Sequence, residues 1–249
     1  MSTVPRAPRL DPAGRLSATD EQRFAPQRWL RNPHVQSVLS SSSLRRALQR
    51  NRAQNLLQDA RELILDCGEG VRLQGFYSQQ RVQQRTRGLV ILLHGWEGSA
   101  GSNYILSSGT RLLEEGFDVF RLNFRDHGAT HHLNRELFHS CRIDEVVGAV
   151  HALAKHFPQQ RLAVAGFSLG GNFALRVAAR APEAGLHLVA ALAVCPVIDP
   201  AQGLNGIERA PWFYQMYFLR KWRSSLLHKQ QLFPDLVLFT KAELAGNLR

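Results

Sequence analysis

The apolar run Leu162-Ala163-Val164-Ala165 passes directly into Gly166-Phe167-Ser168-Leu169-Gly170, and a helix-like stretch over 172–179 follows at once. Few folds accommodate a strand that becomes a helix with no loop between them. Where strand and helix crowd this closely a Cβ has little room, and Gly166 and Gly170 bring none. The serine between them is held in a strained backbone conformation that pushes its hydroxyl out of the sheet. The pattern predicts a strand-turn-helix unit with Ser168 at its apex as candidate nucleophile, supported by Gly166 and Gly170.

A second motif gives this turn a context. Val90-Ile91-Leu92-Leu93 is a short apolar run with β-branched residues, which reads as a buried strand. It runs into His94-Gly95-Trp96-Glu97-Gly98-Ser99. A His-Gly loop after an upstream strand is where a serine elbow finds its second oxyanion donor. The backbone N–H groups of Trp96 and Leu169 are the candidate donors, with His94 and Gly95 as loop support.

The stretches 61–67 and 71–78 alternate apolar and polar residues around Gly68-Glu69-Gly70 and predict a β-hairpin. A helix is expected over 102–115 with Gly116 as its stop, then a strand over 117–124. Another helix is expected from Ile143 to His156, with Val146, Val147, Val150, Leu153 and Phe157 on one face. The run 188–195 reads as a further buried strand, and 236–240 is the one later strand candidate. Strands alternating with helices predict an α/β fold, a mostly parallel sheet with helices on both faces. Reactive groups in such sheets gather at the carboxyl ends of the strands, where His94, Asp126, Ser168 and Asp199 all fall. The expected organisation is an N-terminal arm over 1–58, a core over 59–200 and a helical cap segment over 201–249.

At 249 residues and 44% apolar content the chain can bury one good core. No run of about 18 uncharged apolar residues predicts a membrane span, and the Arg- and Pro-rich start has no secretory apolar region. Cys67, Cys141 and Cys195 are odd in number and widely spaced, which fits a reducing, cytoplasmic setting. The net charge of +11 invites nucleic acid or anionic membrane as a partner. No helix-turn-helix, RNP or zinc-finger pattern accompanies it, so no nucleic acid is expected. Without a dinucleotide or P-loop motif no organic cofactor is expected either.

Asn32-Pro33-His34-Val35-Gln36-Ser37, the His94 to Ser99 loop, Asn123-Phe124-Arg125, Phe138-His139-Ser140 and the stretch from Gly166 to Asn172 together span most of the chain. This set resembles the α/β-hydrolase superfamily and, more narrowly, its YheT-like branch of esterases. The resemblance implies a serine hydrolase that cleaves carboxylic esters of short to medium acyl chains, glycerolipids among them, through an acyl-enzyme on Ser168. Asp126 stands where that branch usually has Gly, and Cys141 follows Ser140 where Gly is common. The branch's Asp-Asp-Pro acid and Gly-Gly-His base have no counterpart here. The sequence reads as a relative cut short by its last strands.

Triads on this fold run Ser, acid, His along the chain. Only Glu183, Asp199, Glu208, Asp235 and Glu243 follow Ser168 as acids, with His187 and His228 as bases. Asp199, after the strand ending at Cys195, and His228, in a basic helical segment, are the candidate pair. A rival metal chemistry would draw on Asp126, His127, His131, His132, Glu136 and His139, crowded in one loop; with no H-E-x-x-H, no metal is assigned. The aromatic and basic segment 211–223 reads as a cap lining an acyl pocket, as an interfacial helix touching a membrane, or as plain packing. A strand at 188–195 with nothing beyond it would leave an apolar edge open to self-association. The competing functional reading is a catalytically incomplete remnant or interaction module that keeps the hydrolase scaffold.

Overall fold

The computed structural model describes residues 26–40, 42–236 and 240. The chain divides into two compact units, Met1–Arg45 and Arg46–Arg249. In the first, a 3-10 turn at Arg28–Leu30 precedes helix α1 (Pro33–Ser40). Asn32 caps α1, its Oδ1 accepting from the amides of His34 at 2.9 Å and Val35 at 3.4 Å. Helix α2 (Ser43–Arg52) begins in this unit and ends in the second.

The second unit opens with the remainder of α2 and α3 (Gln54–Leu57), followed by β1 (Arg61–Asp66) and β2 (Arg72–Ser78). These two strands form the expected antiparallel hairpin, turning through Gly68, Glu69 and Gly70, all with positive φ. Next come β3 (Leu89–Leu93), α4 (Asn103–Glu114), β4 (Asp118–Leu122), α5 (Ile143–His156), β5 (Leu162–Phe167), α6 (Leu169–Arg180) and β6 (Leu188–Val194). Helices α7 (Pro200–Arg209) and α8 (Trp212–Leu232) complete the described elements. The sheet order is β1-β2-β4-β3-β5-β6. Strands β4, β3, β5 and β6 are mutually parallel, and β2 runs antiparallel to both β1 and β4.

Strand β3 shows why the centre of the sheet reads as an unbroken apolar run. Its alternate side chains point to opposite faces, and both faces are covered. Leu89, Ile91 and Leu93 join the cluster built with Val146, Val150 and Leu153 of α5 and Phe173 and Val177 of α6. Val90 and Leu92 face the other way, into Leu56 of α3 and Ile105 and Leu106 of α4. Polar alternation is absent because neither face meets water.

The expected buried strand over 188–195 is present as β6, but it is not buried. Val189 is 53% and Leu192 59% exposed. An apolar run predicts a strand; burial needs a neighbour, and β6 has β5 on one side and no described strand on the other. A groove of about 850 Å³ also opens on the α4 side of the sheet, lined by Val90, Leu92, Ala165, Phe167, Val189 and Leu192. Of the late strand candidate, residues 237–239 lie outside the described residues. The helix after Ser168 starts at Leu169, three residues earlier than its composition suggests, because the turn itself is already helical on its far side.

Candidate active site

Ser168 adopts φ 54° and ψ −117°, a left-handed conformation that a serine enters only under constraint, at about 1–3 kcal/mol. The constraint is visible on both sides. Its N–H donates to the Val194 carbonyl at 2.9 Å, and its own carbonyl accepts from Val197 at 3.3 Å and from Asn172 at 3.1 Å. A Cβ at Gly166 would lie 2.0 Å from the Gly170 carbonyl oxygen, and one at Gly170 would lie 2.3 Å from that of Leu93. Any larger residue at either position would force β5, α6 and β3 apart. The serine side chain is exposed, and among the described residues nothing hydrogen-bonds its Oγ.

The 94–99 loop lies against this apex. A Cβ at Gly95 would sit 3.4 Å from the Ser168 Cβ. The loop is tied at almost every peptide: Gly95 N–H donates to the Tyr104 hydroxyl at 2.9 Å, and Glu97 N–H to His127 Nε2 at 3.2 Å. Gly98 N–H donates to the Gly95 carbonyl at 3.0 Å. Glu97 itself carries φ 55°. The amide of Trp96 has no acceptor among the described residues, nor does that of Leu169, which is at the first turn of α6, where the helix leaves its N–H groups unpaired.

Two histidines beneath the loop are structural. His94 is fully buried; Phe124 N–H donates to its Nε2 at 3.2 Å, so the proton lies on Nδ1, which donates to the Gly95 carbonyl at 2.8 Å. His127 repeats the pattern, with Nδ1 toward the Arg125 carbonyl at 2.7 Å and Nε2 accepting from Glu97. Burial drives the His94 imidazole well below its ordinary value, helped by the neighbouring His127. Burial lowers His127 to about 4. Both are neutral hydrogen-bonding struts.

Asp126 has φ 58°, a left-handed backbone region that Asp tolerates better than most residues with a Cβ. Its Oδ2 accepts from Phe138 N–H at 2.9 Å, and its Oδ1 meets the buried ammonium of Lys229 at 2.8 Å. Lys229 also donates to the carbonyls of His131 and Asn134. Sequence reasoning missed Lys229, since a lysine in a basic helix carries no sign of burial. Nearby, Arg125 and Glu145 form a buried pair at 2.8 Å that ties the end of β4 to α5.

The structure separates the remaining candidates. Asp199 caps α7, its Oδ1 accepting from the amides of Ala201 at 2.9 Å and Gln202 at 3.2 Å. His228 is exposed on α8, with its ring 4.9 Å from that of His131. Neither bonds the other or Ser168. In the histidine-rich loop, Asp126 and His127 are engaged as above, His131 Nε2 pairs with Ser225 Oγ at 2.7 Å, and Glu136 pairs with Arg142 at 3.2 Å. His132 and His139 take no part in these contacts, and among the described residues no three His, Cys, Asp or Glu side chains converge. In the 211–223 segment Trp212 is 73% exposed, whereas Phe218 stacks on Trp96 at 5.1 Å and 7°. No helix among the described residues is long and apolar enough to cross a membrane.

Residues 88–233, well over half the chain, match the family described as the alpha/beta hydrolase fold. The chain belongs to the alpha/beta hydrolase family. The matched span covers the parallel strands, the Ser168 turn and α8. An esterase from Pyrococcus furiosus is similar in structure, at 23% identity and TM-score 0.51, over 72% of this chain and 63% of the esterase. A variant of the esterase Est22 is similar at 18% identity and TM-score 0.52, over 66% of this chain and 51% of that one. The chain thus spans between half and two thirds of the length of these relatives, and the likeness is one of fold. No curated protein matches the sequence.

Proposed function

We propose that the chain is a serine carboxylic-ester hydrolase of the YheT-like kind, acting through an acyl-enzyme on Ser168. The observation that carries the reading is the pairing of an exposed, left-handed Ser168 with two unengaged amides, Trp96 and Leu169, on the loop and helix that flank it. In this chemistry Ser168 Oγ bonds to the ester carbonyl carbon. The carbonyl oxygen becomes an oxyanion that accepts from the two amides, each worth on the order of 3 kcal/mol. The C–O bond to the alcohol then breaks, the alkoxide leaves with the serine's proton, and water later releases the acid from the acyl-serine. The exposed aromatic start of α8 suits acyl substrates of short to medium length, and its neighbouring Arg220 suits an anionic lipid surface.

A second reading has its own observation. Among the described residues no base hydrogen-bonds Ser168 Oγ: Asp199 caps α7, and His228 is exposed on α8 with its ring against His131. A hydroxyl without a base remains a weak nucleophile, which favours a scaffold or interaction module. A fluorophosphonate probe followed by intact-mass measurement separates the two. An adduct on the wild type that disappears in Ser168→Ala supports the hydrolase; an unmodified wild type supports the scaffold.

A further inference from the structure

Helix α8 presents one narrow stripe to the loops behind Ser168. Phe218, Lys221, Ser225 and Lys229 recur at intervals of three and four residues and therefore lie on one helix face. Each has a fixed partner: Trp96, the Glu97 carbonyl, His131 and Asp126. The second contact has a chemical consequence. Lys221 Nζ donates to the Glu97 carbonyl oxygen at 2.7 Å. The other end of that same peptide group is the Gly98 N–H, which donates to the Gly95 carbonyl at 3.0 Å. The other end of the Gly95 peptide group is the Trp96 N–H, the amide with no acceptor. An ammonium ion thus heads a chain of two peptide groups that ends at the Trp96 N–H.

Each donor–acceptor step in such a chain polarises the next, and a cation at its head shifts electron density toward itself along the whole series. The effect is to make the terminal N–H a stronger donor at the point where negative charge would develop. The same bonds fix its direction. His94 Nδ1–H adds a second donor to the Gly95 carbonyl at 2.8 Å, and Tyr104 and His127 hold the peptides on either side. The indole of Trp96 is kept from swinging by Phe218.

We propose that Lys221 is a positioning residue for ester cleavage, acting through the Glu97–Gly98 and Gly95–Trp96 peptide groups to orient and polarise the Trp96 amide. The proposal rests on the reading of Ser168 as nucleophile. It also assigns α8 a task that a simple substrate cover would not have. Glu97 fits the arrangement: burial pushes its carboxyl up while the Lys221 charge opposes the shift, so the ammonium is sensed throughout the loop.

Lys221→Met keeps the aliphatic stem and removes the head of the chain. Fluorophosphonate labelling of Ser168 should slow about tenfold, and any ester turnover should lose kcat with KM unchanged, as for an interaction made only in the transition state. Lys221→Arg should recover most of the rate. Two readouts are independent of chemistry: the Trp96 and Gly98 amide proton resonances should move upfield, and Gly98 hydrogen exchange should accelerate. Unchanged amide resonances and exchange in a folded Lys221→Met variant would overturn the proposal, as would an equal loss in Lys221→Arg. If Lys221→Met melts far below wild type, Lys221→Gln, a neutral donor, should give an intermediate shift of the same resonances, and no shift counts against the relay. A wild type that refuses the probe while its amide resonances respond sinks the nucleophile reading and leaves the relay standing.

Discussion

Replacing Lys229 with Met removes a charge from the inside of the protein and leaves its partners behind. The ammonium is 0% exposed and touches the Asp126 carboxylate, itself 5% exposed, at 2.8 Å. Burial lowers the lysine's proton affinity, and Asp126 is the main group opposing that shift. In Lys229→Met, Asp126 retains only the Phe138 amide on its other oxygen, and the His131 and Asn134 carbonyls lose a donor. Breaking a buried pair from one side costs about 3–5 kcal/mol, because an uncompensated charge stays buried. For a folded unit of about 200 residues each kcal/mol moves the melting temperature by about 2–4 °C, so a fall of about 6–20 °C is expected. Thermal unfolding followed by circular dichroism measures it. Asp126→Asn should fit the same left-handed backbone, and the double variant Asp126→Asn with Lys229→Met should be more stable than Lys229→Met alone. A Lys229→Met protein melting within 2 °C of wild type, with no gain in the double variant, would refute the argument.

Because His127 and the deeply buried His94 stay neutral in the fold, the unfolded chain takes up protons below its ordinary histidine value that the folded chain refuses. Stability is therefore complete above about pH 6.5 and falls as pH drops toward 4, by about 3 kcal/mol for His127 alone; urea midpoints unchanged from pH 7 to 4 would contradict this. Gly170→Ala places a methyl 2.3 Å and 2.4 Å from two backbone oxygens and should cost at least about 3 kcal/mol, read as lost soluble yield or a collapsed melting temperature. The exposed edge of β6 should pair with a second copy, and Leu192→Lys should shift the protein toward monomer in light scattering at equal concentration; a monomeric wild type removes this expectation.

The parallel core and the Ser168 turn were legible because their signals are local. An apolar pentapeptide, a G-x-S-x-G turn and the 3.6-residue periodicity of α5 need no knowledge of distant residues. The supports of the site are long-range. Lys229 and Asp126 are 103 residues apart in sequence, and nothing in the run Leu227-His228-Lys229-Gln230 marks one cation as buried. Lys221 and Glu97 meet through a backbone carbonyl, which has no sequence identity at all. For β6 the sequence pointed two ways: its composition is that of a buried central strand, while the lack of a strong strand after it implied an open edge, and the sheet order places it at the edge. The positive φ of Asp126 is likewise a property of the folded backbone that its side chain does not announce.

Both hydrogen bonds that pin the Ser168 backbone from outside its own helix come from Val194 and Val197, the end of the edge strand and the loop after it. Edge strands open at lower free energy than central ones, so this end of the sheet sets the lifetime of the serine's strained posture. Each fraying event of β6 lets the apex relax toward an ordinary backbone and withdraw its hydroxyl. Presentation of the Ser168 hydroxyl is then a population, governed by how firmly the last strand is zipped. Anything that closes along β6 tightens Ser168 by way of Val194, without touching the hydroxyl itself.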